Sequence, residues 1–177
     1  MSTETGTLFL ALLAIASQVS ILAVLVLAAT ARPTLARVRA ALGEQALQLA
    51  FVVALVATAG SLWLSEGAHF VPCRLCWYQR IAMYPMAVIL GIAAWRRDVS
   101  VRVYALPVVA IGATISVWHM LIERFPSLES ASSCDPANPC SLIWVERFGY
   151  LTIPTMAFTA FALIATLLLL APKESDG

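Results

Sequence analysis

The sequence contains few charged residues: they make up 12% of its 177 positions, whereas soluble proteins contain about 25%. Hydrophobic residues account for 61%, above the roughly 45–50% that is typical of soluble domains. No polar stretch is long enough to form a soluble domain, and the chain has no internal repeat or low-complexity tract. A formal net charge of +1 gives no support for a nucleic-acid partner. The composition therefore predicts an integral membrane protein.

Five stretches are long and apolar enough to cross a bilayer, which takes about 20 residues in a helix. They cover residues 8–30, 46–64, 80–95, 103–122 and 150–171. The third stretch is short, and we expect its helix to start earlier, near Cys76. Because backbone polar groups inside lipid must be satisfied within the segment, each span is predicted to be a helix.

Basic residues are shared unevenly between the segments that connect the spans, and this bias predicts the orientation of the chain. One side of the membrane receives seven of them: Arg32, Arg37, Arg39, Arg96, Arg97, Arg102 and Lys173. The other side receives four: Arg74, Arg80, Arg124 and Arg147. The side with the larger number is predicted to be cytoplasmic. The N-terminus then lies outside and the C-terminus inside.

The first span has one feature of a secretory signal peptide, because Ala29-Thr30-Ala31 resembles a cleavage site. However, the segment before it contains Glu4 and no basic residue, and its apolar run exceeds the usual length of about 7–15 residues. We therefore expect a retained helix. The basic connector over 31–45 that follows it is predicted to return the chain along the inner side, as a short helix at the membrane interface.

The four cysteines fall into two pairs, and both pairs lie in loops on the predicted outer side. Cys73 and Cys76 form a CxxC motif before the third span. Cys134 and Cys140 lie in the long polar loop over 123–149, which we expect to be irregular because it contains three prolines. Disulfides persist outside the cytosol. Such pairs can relay electrons as dithiol and disulfide, brace the structure, or join in a four-cysteine zinc site, which the spacing of the second pair fits poorly.

Two ionisable residues lie near the predicted outer surface. Arg80 follows Cys76 by four residues, on the same helix face and about 6 Å further along the axis. It can stabilise a Cys76 thiolate, which a helix N-terminus also favours, or donate to a ligand; the alternative is a side chain that reaches for lipid headgroups. His119 lies about one turn before the outer end of the fourth span. There it either makes hydrogen bonds in the interior or faces a ligand beside Arg80.

The residues from Pro72 to Arg80 read PCRLCWYQR and resemble the PCxLCxYQR signature of the DsbB/BdbC disulfide-bond-formation proteins. Further similar positions are Tyr84-Pro85, His119-Met120-Leu121, Cys140-Ser141, Trp144, Phe148-Gly149-Tyr150 and Thr152-Ile153-Pro154. The resemblance covers about residues 46–171. The close spacing of the second cysteine pair resembles the Gram-positive type of this family.

The resemblance implies an all-α integral membrane fold with five spans, in which residues 46–177 form a four-helix transmembrane core. Residues 1–45 then contain one additional N-terminal transmembrane helix and the basic connector. The implied activity is that of a membrane thiol oxidase that reoxidises an exported, thioredoxin-like oxidase of the DsbA type. Electrons would pass through both cysteine pairs to a membrane quinone, either ubiquinone or menaquinone. The implied location is the bacterial cytoplasmic membrane, with both cysteine loops outside the cytoplasm.

The resemblance also implies roles for single residues. Cys134 is similar to the cysteine that the partner attacks, and Cys140 to the one that passes electrons to the first pair through Cys73. Cys76 resembles the thiolate that contacts the quinone, which Arg80 and His119 are implied to hold; no metal is expected. Which disulfide forms between the pairs stays open. The alternatives are a metal-braced, four-cysteine membrane scaffold and an enzyme like vitamin K epoxide reductase, whose CxxC usually comes late in the chain.

Overall fold

The computed structural model describes residues 2–132 and 134–172. Lys173, which contributed to the predicted orientation, and the last residues of the predicted core lie outside this part of the chain. The described helices are α1 (Thr3–Thr30), α2 (Arg32–Leu42), α3 (Ala46–Leu62), α4 (Arg74–Arg96), α5 (Arg102–Arg124) and α6 (Ile153–Leu170).

Five helical stretches in the described chain are long and apolar enough to span a membrane. Three of them are the single helices α1, α4 and α6. The second stretch joins α2 and α3 in a nearly continuous run, and the fourth consists of a short 3₁₀ turn followed by α5. The protein is therefore an all-α, multi-pass membrane protein, as the sequence predicted. The inward or outward orientation of the loops stays a prediction.

Helices α3 to α6 form the bundle, in which α3 packs against α4 and α6, and α5 packs against α4 and α6. Small residues of α3, such as Ala50 and Ala54, are fully buried in this core and allow the neighbouring helices to pack closely. Gly112 of α5 has a similar role, because a Cβ atom there would lie 2.4 Å from the ring of Phe161 on α6. The side-chain core thus lies between the four helices, with α1 packed outside it along α6.

The basic connector is helical, as expected, and it is attached to the end of the bundle that is predicted to face the cytoplasm. Arg39 of α2 donates hydrogen bonds to the carbonyl oxygens of Leu169 and Leu170, the last residues of α6. A guanidinium is favourable there because the last carbonyls of a helix carry partial negative charge and lack partners in the helix. This contact fixes the segment between α1 and α3 to the bundle.

The loops on the predicted outer side contain more regular structure than the polar, proline-containing sequence predicted. Residues Pro126–Ser132 form a 3₁₀ helix after α5. The short strands β1 (Glu146–Arg147) and β2 (Leu151–Thr152) pair antiparallel just before α6. The turn between them has positive φ at Phe148 (56°) and Gly149 (75°). The expectation of an irregular segment over 123–149 is therefore wrong at these two places.

Candidate active site

The CxxC pair forms the start of α4. Cys73 is the N-cap residue, and its Sγ accepts a hydrogen bond from the backbone N–H of Cys76 at 3.4 Å. The two thiols are free, and their sulfur atoms lie 3.0 Å apart. The sequence predicted that Cys76 would benefit from the helix N-terminus. In the structure Cys76 does lie in the first turn, but its backbone N–H donates to the sulfur of Cys73, so the helix N-terminus favours a thiolate on Cys73.

The second pair forms a disulfide between Cys134 and Cys140. Cys140 is buried, with 1% of its surface exposed, in the same cluster as Cys73, whereas Cys134 is only half-buried. The loop is held in place by Asn138, whose side-chain amide donates to the carbonyl oxygen of Pro72 at 3.1 Å. The two cysteine pairs therefore meet in one buried cluster, with Cys134 at its outer edge.

His119 lies between the two pairs. Its Nε2 atom is 3.0 Å from the carbonyl oxygen of Cys140 and 3.7 Å from Sγ of Cys73. Its Nδ1 atom is 3.4 Å from the amide nitrogen of Gln79. Because an amide nitrogen only donates, we assign the proton of the neutral ring to Nε2, which then donates toward Cys140 and Cys73. His119 does not border the cavity beside Arg80, which differs from its implied place in a quinone site.

The surroundings of Cys73 favour its thiolate. The hydrogen bond with the Cys76 thiol is the largest effect and lowers the pKa of Cys73. Burial acts in the opposite direction, but the hydrogen bond and the positive charge that His119 can carry lower the pKa again. The result is a pKa well below the ordinary value of 9.0. In the dithiol form, negative charge therefore belongs on Cys73, whereas the sequence had pointed to Cys76.

Glu129 organises the backbone at the second pair. Its carboxylate accepts hydrogen bonds from the backbone N–H groups of Cys140 and Ser141 and from the Ser141 hydroxyl, the last at 2.7 Å. Burial raises the pKa of Glu129, but these hydrogen bonds outweigh it, and the pKa lies below the usual range. Glu129 is therefore charged at neutral pH and holds the backbone of Cys140 in place.

A cavity of about 290 Å³ lies between α1 and the bundle and extends to the CxxC pair at Cys76. Its walls are mostly apolar side chains from α1, α3, α4 and α6. Cys76 borders this cavity, and Cys73 does not. The polar groups that border it near Cys76 belong to Ser61, Gln79, Arg80 and Tyr84.

Arg80 is fixed at this polar end of the cavity. Its Nε donates to the hydroxyl of Ser61 at 3.0 Å, and Nη2 donates to the Ser61 carbonyl oxygen at 2.9 Å. The guanidinium also lies 5.3 Å from the ring centroid of Trp77, a distance at which a cation and an aromatic face attract each other. Tyr84 donates to the same Ser61 hydroxyl at 3.3 Å. These contacts position Arg80 at the cavity, unlike a side chain that only reaches for headgroups.

Several residues of the site were given no role by the sequence. Gln79 belongs to the PCRLCWYQR stretch and is buried, and a buried amide in a membrane helix is a usable signal for function. Trp144 borders the cavity and stacks on Phe70 with ring centroids 5.3 Å apart. No sequence pattern distinguishes Ser61 or Glu129 from other polar residues, because their roles depend on partners far away in the chain.

The four-cysteine metal site weighed from the sequence is not formed. Cys134 and Cys140 are bonded to each other, and thiolates are the form in which cysteine binds zinc. Ligand atoms of Cys73, Cys76 and His119 do lie within 4.8 Å of one another. This group contains both thiols of the CxxC pair, so a metal there would occupy the same sulfur atoms that a redox reaction needs.

Comparisons with known proteins identify the family of this chain. The family described as disulfide bond formation protein DsbB matches residues 43–171. Disulfide bond formation protein C of Bacillus subtilis is 45% identical over 130 residues, which cover 73% of this chain and 94% of that protein. A probable disulfide formation protein of Oceanobacillus iheyensis is 42% identical over 132 residues, covering 74% and 91% respectively. No solved structure gives a significant match. The chain belongs to the DsbB family of disulfide bond formation proteins.

Proposed function

We propose that this protein reoxidises an exported, thioredoxin-like partner of the DsbA type and passes the electrons to a membrane quinone. Family membership supports the general role of a thiol oxidoreductase. The observation that carries the finer proposal is the position of the CxxC pair. Cys76 borders the apolar cavity, while Cys73 lies on the other side against His119 and the buried cluster of Cys140.

The residues around the cavity fit a quinone, which has a flat ring with two carbonyl oxygens and an apolar tail. Arg80 and Gln79 supply N–H donors for a ring oxygen at the polar end. The apolar walls further in suit the tail. A bound quinone would supply the two-electron acceptor chemistry, and the protein would supply position and charge.

Exchange begins at the second pair. A partner thiolate attacks Cys134, the more exposed sulfur of the disulfide, to form a mixed disulfide and release Cys140 as a thiolate. The second partner thiol then attacks the partner's sulfur, which releases Cys134 and leaves the partner oxidised. Two electrons now reside in the dithiol of Cys134 and Cys140.

The electrons then move to the first pair in its disulfide form. Cys140 attacks Cys73, the cysteine in its own buried cluster, and Cys76 leaves as a thiolate beside the cavity. Cys134 next attacks Cys140, which restores the second disulfide and expels Cys73. A low pKa makes Cys73 a good leaving group in that step. In this order of steps, the disulfide that transiently joins the two pairs is Cys73–Cys140.

The reaction ends at the cavity. The dithiol of Cys73 and Cys76 would give up two electrons to a quinone at the polar end of the cavity, which Cys76 and Arg80 border. The disulfide of the first pair is then restored. We place the protein in the bacterial cytoplasmic membrane with both cysteine loops outside, because the basic residues favour that orientation and an oxidising compartment maintains disulfides.

The test is oxidation of a reduced thioredoxin-like partner by the purified protein, with and without added quinone. We expect turnover only with quinone, no turnover for Cys76→Ser, and accumulation of a Cys134-linked mixed disulfide for Cys140→Ser. Turnover by Cys76→Ser at the wild-type rate would exclude the proposed route to the quinone. Equal turnover without added or co-purified quinone would exclude the acceptor.

A further inference from the structure

Helix α1 lies outside the part of the chain that the DsbB family covers. The family match begins at residue 43. The Bacillus subtilis relative is matched over 94% of its length by 130 residues of this chain, so its remaining 6% leaves no room for another 28-residue helix. The role of α1 must therefore be inferred from its own contacts.

One face of α1 borders the cavity that reaches Cys76. The residues concerned are Leu10, Leu13, Ala14 and Ser17. Their spacing of three and four positions places them in a single stripe along the helix. From Leu10 to Ser17 this stripe extends about 10 Å along the axis. It is apolar except at Ser17, whereas the polar groups near Cys76 come from α3 and α4.

The N-terminal part of α1 packs closely against the last turn of α3 and the residue that follows it. A Cβ atom at Gly6 would lie 2.1 Å from the Trp63 ring, which therefore needs the glycine. Leu10 approaches Gly60 in the same way, since a Cβ there would lie 2.9 Å from a Leu10 methyl carbon. These two close approaches fix α1 beside Ser61, which also borders the cavity.

Polar contacts hold α1 to the segment around α6. Arg147 of β1 donates to the hydroxyl of Thr7 at 2.8 Å and to the carbonyl oxygen of Glu4 at 3.3 Å. Gln18 donates to the hydroxyl of Thr159 at 3.1 Å. In an apolar surrounding such hydrogen bonds position helices specifically, because the alternative partners are few. By contrast, Val19, Leu22 and Leu25 are each about 60% exposed and face the lipid.

We propose that α1 is a wall of the quinone site and that its Leu10–Ser17 stripe binds the apolar tail of the quinone. The inference rests on the proposed function and adds a binding element to it. The ring belongs at the polar end near Arg80 and Cys76, and the stripe continues from that end into the apolar part of the cavity. Leu13, in the middle of the stripe, then sets how much space the first part of the tail has.

The test compares two tryptophan substitutions on the same helix. Leu13→Trp places a large side chain in the cavity, and Leu22→Trp places one on the lipid face as the matched control. Equilibrium binding is measured with the fully oxidised protein, which cannot reduce its ligand, using a quinone with a short isoprenoid tail and the same ring without a tail. We expect Leu13→Trp to weaken binding of the tailed quinone about tenfold. The tail-less ring and the Leu22→Trp variant should be unaffected.

A photoreactive group at the start of the tail gives a second measurement that needs no variant. We expect it to label wild-type residues between Leu10 and Ser17, as found by mass spectrometry of the digested protein. If tailed quinone binds the wild type and Leu13→Trp equally and labels other helices only, the inference about α1 fails while the proposed function stands. If neither quinone binds the wild type, both fail.

Discussion

The sulfur atom of Cys73 lies 3.7 Å from Nε2 of His119, the same nitrogen that contacts the carbonyl oxygen of Cys140 at 3.0 Å. One imidazole therefore touches both cysteines that we propose to exchange disulfide partners. The His119 side chain does not border the cavity that Cys76 and Arg80 line. We therefore propose that His119 acts in the transfer between the pairs and that other residues bind the acceptor.

Replacement of His119 by alanine should slow the transfer between the pairs about a hundredfold, which is within the usual range for a group that assists proton movement. The variant loses the donor that stabilises a thiolate on Cys73. The measurement is a single turnover with reduced partner, stopped by acid, followed by alkylation and counting of the free thiols in each pair. The dithiol of Cys134 and Cys140 should accumulate.

The matched control for this variant is His69→Asn in the first outer loop. Asparagine is chosen because His69 has a φ of 59°, a conformation that asparagine tolerates. We expect normal transfer in this control. If His119→Ala instead transfers normally and binds quinone more weakly, His119 belongs to the acceptor site after all.

Ser61 positions Arg80, and its hydroxyl accepts from both Arg80 and Tyr84. Ser61→Ala should therefore raise the quinone concentration needed for half-maximal rate about tenfold, the equivalent of one lost hydrogen bond of about 1.4 kcal/mol. The maximal rate should change little, because both cysteine pairs are untouched. Steady-state kinetics with varied quinone measures the two effects separately.

Ser65→Ala is the control for Ser61→Ala. The Ser65 hydroxyl lies one turn further along and donates to the carbonyl oxygens of Ser61 and Leu62 in its own helical segment. We expect wild-type kinetics from it. A fall in maximal rate for Ser61→Ala with an unchanged quinone requirement would contradict the role of Arg80 as a ligand-binding residue.

The sequence predicts the parts of this protein that depend on local pattern. Long apolar runs define the spans because lipid requires each backbone to satisfy its own hydrogen bonds. The CxxC motif and the nearby Arg80 share one helix, so their spacing alone places them on one face. The start of α4 at Arg74 differs from the expected start near Cys76, because Cys73 itself caps the helix.

Contacts between distant segments could not be predicted in the same way. His119 was expected beside Arg80, but its rotation about α5 is set by packing that brings Gln79 and Cys140 to its two nitrogens. The stripe on α1 is another case. An apolar membrane helix has no polar face to indicate which side contacts protein, so the sequence of α1 does not distinguish Leu13 from Leu22.

Glu129→Gln should make the Cys134–Cys140 disulfide easier to reduce. The variant replaces the charged carboxylate that accepts from the backbone N–H groups of Cys140 and Ser141 with a neutral amide. Because the lost charged hydrogen bonds are partly exposed, we expect the rate of disulfide reduction to rise by about three- to tenfold. The measurement is reduction by a water-soluble phosphine at pH 7. Ser130→Ala, whose hydroxyl bonds within the same 3₁₀ helix to Ser127, is the control and should match the wild type.

The same reaction has a predicted pH dependence. The pKa of Glu129 is lowered in the folded protein, so its carboxylate stabilises the loop fully above the ordinary value of 4.5. This stabilisation is lost as the pH falls through the lower, folded-state pKa. After correction for the reagent's own pH dependence, wild-type reduction should stay constant from pH 7 to 5 and accelerate below that. Glu129→Gln should show no such acceleration, and an identical pH profile for both would contradict the assignment.

The predicted orientation can be tested with single cysteines in a variant that has all four natural cysteines replaced by serine. Ser130→Cys lies in the loop before the second pair, and Thr34→Cys lies on α2; both positions are exposed. A membrane-impermeant maleimide on intact cells should label Ser130→Cys, because the basic residues place that loop outside. Thr34→Cys should react only after the membrane is permeabilised. The reverse pattern would place both cysteine pairs in the cytosol, where thiols are kept reduced, and would contradict the proposed oxidation of an exported partner.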